Sequence, residues 1–150
     1  MCELLVYLLR DHDDQRALLR QLATPRSSTS RRELLARLRF TMVGHGLAET
    51  QVFYPVVNLV SRQGFRLTIT RAHQDHTQIE QALDRLHLIH PAEDAWVEGM
   101  VLLKAMVDAH LREEELALLD MTEPLLPFAN QLALMASMDR IKTTYGSPAW

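Results

Sequence analysis

An all-α fold, an antiparallel up-down four-helix bundle with a short C-terminal fifth helix, is predicted by three features of this 150-residue chain. Apolar residues recur at three- and four-residue steps through four long stretches. Strand-like alternation is absent, and the proline, glycine and polar clusters between these stretches read as turns and not as domain linkers, so residues 1–150 read as one domain.

The first helix runs from about Cys2 to Leu22, with Leu5, Leu8, Leu19 and Leu22 on one row and His12 in phase with them. It stops before Thr24 and Pro25, and Arg26, Ser27, Ser28 and Thr29 make a polar loop. Ser30 with Glu33 reads as a capping box opening a second helix, which continues to about Arg62 and stops at Gly64. Pro55 lies inside that helix and is expected to kink it just past Glu49. A third helix covers about Thr68 to Leu88. Pro91 suits the first position of a fourth, which reaches about Thr122, before Pro124 and Pro127. The fifth spans about Phe128 to Thr143, carries Leu132, Met135 and Met138 on one face, and ends near Gly146.

Three times a His is followed four residues later by a Glu: His45/Glu49, His76/Glu80 and His110/Glu114. Residues four apart share a helix face, so an imidazole nitrogen and a carboxylate oxygen can aim at one place. With 7 His and 10 Glu in the chain, chance supplies roughly half of one such pair. The pairs also lie in phase with apolar rows: Leu34, Leu38, Met42 and Phe53 for His45; Ile69, Ala72, Ile79 and Leu83 for His76; Trp96, Met100, Val107, Leu118 and Met121 for His110. Four helices therefore offer ligands to one core, and no Lys or Arg falls on those inward rows. A buried carboxylate without a partner costs several kcal/mol, so a bound cation is expected. Four imidazoles and three carboxylates exceed the four ligands of a tetrahedral zinc and suit two carboxylate-bridged ions.

Composition narrows the classes. A formal net charge of −3 argues against a nucleic-acid binder, and the single Cys, at position 2, excludes an internal disulfide and a cysteine-rich cluster. No segment reads as a signal peptide or approaches the length of a membrane span, which points to a cytoplasmic protein. Arg residues crowd the first forty positions while the fourth helix is acidic, a pattern compatible with a homodimer or a partner contact.

The run Leu9-Arg10-Asp11-His12, the segment from His45 through Glu49 to Tyr54-Pro55, the stretch Ala72-His73-Gln74-Asp75-His76, and His110 through Glu113-Glu114-Glu115 before Pro124 resemble the hemerythrin-like HHE cation-binding family over nearly the whole chain. The resemblance implies iron: two ions with an oxo or hydroxo bridge. It implies Glu49 and Glu114 as bridging carboxylates, His12 and His45 on one iron, and His76, His110 and Glu80 on the other, with His73 as the alternative to Glu80. Glu80 stands where the oxygen-carrying hemerythrins have a His; the extra anionic donor favours the ferric state, hence sensing or redox turnover over reversible carriage. A small oxidant (oxygen, peroxide or nitric oxide) is then expected at an open position near His12 and His45. Tyr54 is read mainly as packing, Met42, Met100, Met106 and Met121 as core filler, His87 and His90 as helix-end groups, and Glu113 and Glu115 as solvent-facing. A ferritin-like di-iron protein would need Glu three residues before His, which occurs nowhere here. Two other readings stand beside this one: an iron or redox sensor acting through a protein partner, and a metal-free helical interaction module.

Overall fold

The computed structural model describes residues 3–24, 26–119 and 125–145, and among these every regular element is helical. The elements are α1 (Glu3–Ala23), α2 (Ser28–Ala48), α3 (Tyr54–Val60), α4 (Arg66–Leu88), α5 (Asp94–Glu114) and α6 (Phe128–Tyr145). A widened π-turn, Glu49–Phe53, joins α2 to α3, and a second, Glu115–Leu119, extends α5. α1 packs on α2, α2 on α4, α4 on α5 and α5 on α1, which closes the four-helix ring. α6 is more than an appendage: it lies against α1 and α2, buries Met138 completely, and ties down α1 through Tyr7, whose hydroxyl donates to Asp139 at 2.6 Å.

Local chemistry shifts several boundaries. The N-cap of α2 is Ser27, whose hydroxyl accepts the Ser30 amide at 3.1 Å, so the helix starts two residues before the Ser30 capping box. Beyond Glu49 the Tyr54 amide reaches back five residues to the Glu49 carbonyl, and the loose turn absorbs Pro55, which has no amide to give. The stop after α3 is made by Arg62 and Gln63, both at positive φ, and not by Gly64. α5 begins three residues after Pro91, because the Ala92 amide donates to the His90 ring and the Glu93 carboxylate accepts the His90 amide. The predicted ends at Cys2, Pro25, Thr122, Pro124 and Gly146, and Met121 of the apolar row, lie outside the described residues.

Two apolar clusters fill the bundle. One gathers Leu19, Leu38, Leu83, Trp96, Leu103 and Val107; the other gathers Leu8, Phe53, Val57, Ile69, Ala72 and Leu118. α2 and α5 run from the first cluster to the second, while α1 and α4 run the opposite way. Between the clusters lies a polar layer: His12, His45, Glu49, His110 and Glu114 are all buried, at 3 % exposure or less.

Candidate metal centre

Six of the seven expected ligands converge in that layer. One group is His12, His45, Glu49 and Glu114; a second is Glu49, His76 and His110, so Glu49 belongs to both. The two oxygens of Glu49 divide between them. Oε1 lies 2.7 Å from His45 Nε2 and 3.9 Å from His12 Nε2, whereas Oε2 lies 3.2 Å from His76 Nε2. Glu114 Oε2 sits between His12 Nε2 at 3.5 Å and His110 Nε2 at 3.7 Å. His76 Nε2 and His110 Nε2 are 3.0 Å apart. Donors on bonds of about 2.1 Å are separated by about 3.0 Å at a right angle and about 3.4 Å in a tetrahedron, so these spacings suit ligands of shared ions.

Orientation is the stronger test of fit. His12 Nε2, His45 Nε2, Glu49 Oε1 and Glu114 Oε2 are all buried and make no hydrogen bond, even where His45 and Glu49 come within 2.7 Å. Leaving such groups unpaired costs about 1–3 kcal/mol each, more when charged. They are aimed past one another, as atoms that share a cation are.

The opposite edges of three imidazoles are fixed by carboxylates from neighbouring helices. His45 Nδ1 donates to Asp11 at 2.7 Å, His12 Nδ1 to Glu115 at 2.9 Å, and His110 Nδ1 to Asp75 at 3.3 Å. With Nδ1 carrying the proton, Nε2 presents its lone pair inward, and the ring loses its freedom to turn. The carboxylates are themselves held, Glu115 by both terminal nitrogens of Arg16 at 2.8 and 3.0 Å and Asp11 by Lys142 of α6. Asp11→Asn and Glu115→Gln are each expected to weaken metal loading about 10–100-fold while leaving the fold intact. A chelator competition titration measures this, and an unchanged midpoint contradicts the role.

Without a cation, protons take its place. Burial opposes the charge on His12, but the carboxylates of Glu114, Glu115 and Glu49 around the ring outweigh it and push the pKa up to about 11. His45 is lifted to about 9 against burial by Glu49 and Asp11. Burial would raise Glu49, yet His45, His12 and His76 hold it well below the usual carboxylate range. Burial works on Glu115 in the same direction and is overcome by His12 and Arg16, which bring it to about 2.

Five expectations need correction. Glu80 does not join the layer: its side chain is 49 % exposed and pairs with Arg39 Nη2 at 3.5 Å, and Arg39 Nε also reaches Asp84 at 3.0 Å. Because α4 runs against α2 and α5, a four-residue step from its His leads away from the level of Glu49 and Glu114. Arg39, almost wholly buried, is also a cation beside the inward row where none was expected. His73, the alternative to Glu80, does not converge either; its Nδ1 lies 3.3 Å from Thr50 Oγ1 and its ring packs edge-on against Tyr54. Glu115 faces α1 and not solvent, and Tyr54 does more than pack. Its hydroxyl lies 2.9 Å from Glu114 Oε1, 3.2 Å from Glu49 Oε2 and 3.4 Å from His76 Nε2. Burial, Glu114 and Glu49 keep that phenol protonated, well above its usual pKa, so it donates. The π-turn puts Tyr54 there, since its five-residue hydrogen-bond step brings Tyr54 over Glu49 where a regular helix would not. One signal for the outer carboxylates was present in the sequence: Asp immediately precedes a layer His twice, at Asp11-His12 and Asp75-His76.

Residues 4–122 match the model of the hemerythrin HHE cation-binding domain. The chain belongs to the hemerythrin HHE family. A crystal structure of a hemerythrin HHE cation-binding domain-containing protein from Mycobacterium kansasii is similar to it, with a TM-score of 0.76 at 21 % identity, covering 96 % of this chain and 90 % of that one. At that identity the likeness speaks for the hemerythrin-like fold alone. No curated protein matches the chain. The HHE domain is a cation-binding one, and the layer of imidazoles and carboxylates is where this member has groups able to hold metal. No helix among the described residues is long and apolar enough to cross a membrane.

Proposed function

We propose that this HHE protein holds a carboxylate-bridged pair of iron ions and uses it to bind or react with a small oxidant (oxygen, peroxide or nitric oxide) in a cytoplasmic sensing, stress-response or iron-homeostasis role. The observation that carries the reading is the set of four buried donor atoms without hydrogen bonds, on His12, His45, Glu49 and Glu114, beside a second set that shares Glu49. His12 and His45 would serve one ion, His76 and His110 the other, with Glu49 and Glu114 between them.

When bound, such a pair supplies electrons and Lewis acidity to an oxidant. The chain's own groups do the rest. The two apolar clusters keep bulk water from the layer, the outer carboxylates orient the imidazoles, and the Tyr54 hydroxyl offers a proton beside Glu49 and Glu114. Entry is best supported on the His76 side. That side chain is 17 % exposed, whereas His12 and His45 are covered, at 0 and 3 %. The access route therefore differs from the opening expected near His12 and His45, and Glu80 leaves the His76 side less crowded.

Iron loading tests the proposal. Aerobic iron-loaded protein is expected to hold close to two irons per chain and to show the near-ultraviolet absorption of oxo-bridged ferric pairs. One iron per chain, or retention of zinc alone, would refute the paired-iron reading. Peroxide or oxygen consumption by that protein marks an enzyme; loading without turnover, with metal-dependent capture of a partner, marks a sensor.

A further inference from the structure

A groove of about 240 Å³ runs between α2 and α4, with Gly46 and His76 on its floor and Met42, Ile79 and Leu83 among its walls. Gly46 keeps the floor open: a Cβ there would stand 3.1 Å from His76 Nδ1 and cover the ring. At the mouth, Glu80 is drawn aside by Arg39. A diatomic gas or hydrogen peroxide needs little more than the roughly 30 Å³ share of one water, so the groove is several times larger than either requires. Its volume exceeds the roughly 150 Å³ cavity known to take a benzene ring. Much of its lining is apolar, the polar exceptions being neutral Thr50 and Thr77, the rings of His73 and His76, and Glu80 with its ion pair. Such a lining accepts an uncharged apolar body and contributes no Lys or Arg to an anion.

We infer that the α2/α4 groove binds the organic part of a small neutral hydroperoxide, so that alkyl or aralkyl hydroperoxides are substrates of the centre proposed above. This rests on that proposed centre. With the ions bound, the O–O bond of ROOH would break, the ferrous pair would supply two electrons and become diferric, two solvent protons would be taken up, and an alcohol and water would leave.

The unreactive product of one such substrate, 2-phenylpropan-2-ol, probes the groove without turnover. Added to metal-free and zinc-loaded protein, it is expected to shift the amide resonances of Gly46, Leu47 and Thr50 saturably, with an affinity of about 1 mM, while benzoate does not. Val43→Trp, filling the α2 wall, is expected to weaken that binding at least about tenfold. Thr77→Trp, on the exposed α4 wall, is the second variant should the first fail to fold. In ferrous iron-loaded protein either variant should lower the ratio of the single-turnover rate constants for oxidation by cumene hydroperoxide over hydrogen peroxide by about tenfold. Shifts that never saturate, or a ratio untouched in the folded variant, overturn the inference. Turnover of hydrogen peroxide with neither alcohol binding nor cumene hydroperoxide turnover overturns the groove alone. Turnover of neither peroxide overturns the proposed function, and the substrate falls with it.

Discussion

Glu49→Ala is expected to abolish stable metal loading at both positions. Glu49 belongs to both ligand groups, one oxygen facing His45 and His12 and the other His76, so its loss removes a donor from each group. The remaining groups cannot compensate. Glu114 leans on the Tyr54 hydroxyl through Oε1, and Glu80 is held at the surface by Arg39. The variant also leaves the raised imidazoles His12 and His45 without their central carboxylate in a buried site, where breaking one partner of a buried pair costs about 3–5 kcal/mol. Metal per chain after gel filtration should fall from about two to near zero, and chelator should no longer change the melting temperature. A variant that still retains two ions would remove Glu49 from the bridging role. Glu49→Gln separates charge from shape: if it also fails to load, the carboxylate charge and not the side-chain volume is what the centre requires.

The gap in melting temperature between metal-loaded and chelated protein is expected to widen with pH from about 6 to 9. His12 and His45 are raised above their ordinary value, so their contribution to the metal-free fold is complete below about 6.5 and fades as pH climbs through about 9 and then about 11. Glu115 is depressed; its contribution stands above 4.5 and is lost as pH falls toward about 2. The metal-free form is accordingly most stable in mildly acidic solution. Loading displaces the protons of His12 and His45, so each pH unit adds about 1.4 kcal/mol per proton to the apparent metal affinity. Two protons and a chain of this size translate to a widening on the order of 10 °C per pH unit. Calorimetry in two buffers of different ionisation enthalpy should count the same two protons released. Parallel melting curves across the range, or no proton release, would show that these imidazoles are not ligands.

The chain's periodicity and punctuation determined the helices, because amphipathic spacing and Pro or Gly breaks are local facts. They also determined which residues face the core: His12, His45, Glu49, His110 and Glu114 sit in apolar rows, and burial follows from those rows. The repeated His-to-Glu step, with its carboxylates too costly to bury alone, was enough to expect a cation site. Spacing carries no direction, however, and that is where Glu80 was lost. The same step that brings Glu49 and Glu114 to the layer on α2 and α5 takes Glu80 out of it on the antiparallel α4, toward Arg39.

Helix phase is equally blind to a π-turn, which depends on how the whole segment packs and which swung Tyr54 onto the carboxylates of Glu49 and Glu114. Nor can a helical wheel tell solvent from a neighbouring helix: Glu115 lies off the inward row, and only the arrival of α1 makes that flank a partner for His12. The groove over His76 belongs to the same category, since it exists only where α2 and α4 part around Gly46. Local pattern set what each helix would bury; the mutual direction and contact of the helices decided which of those groups meet, since those distances depend on several chain segments at once.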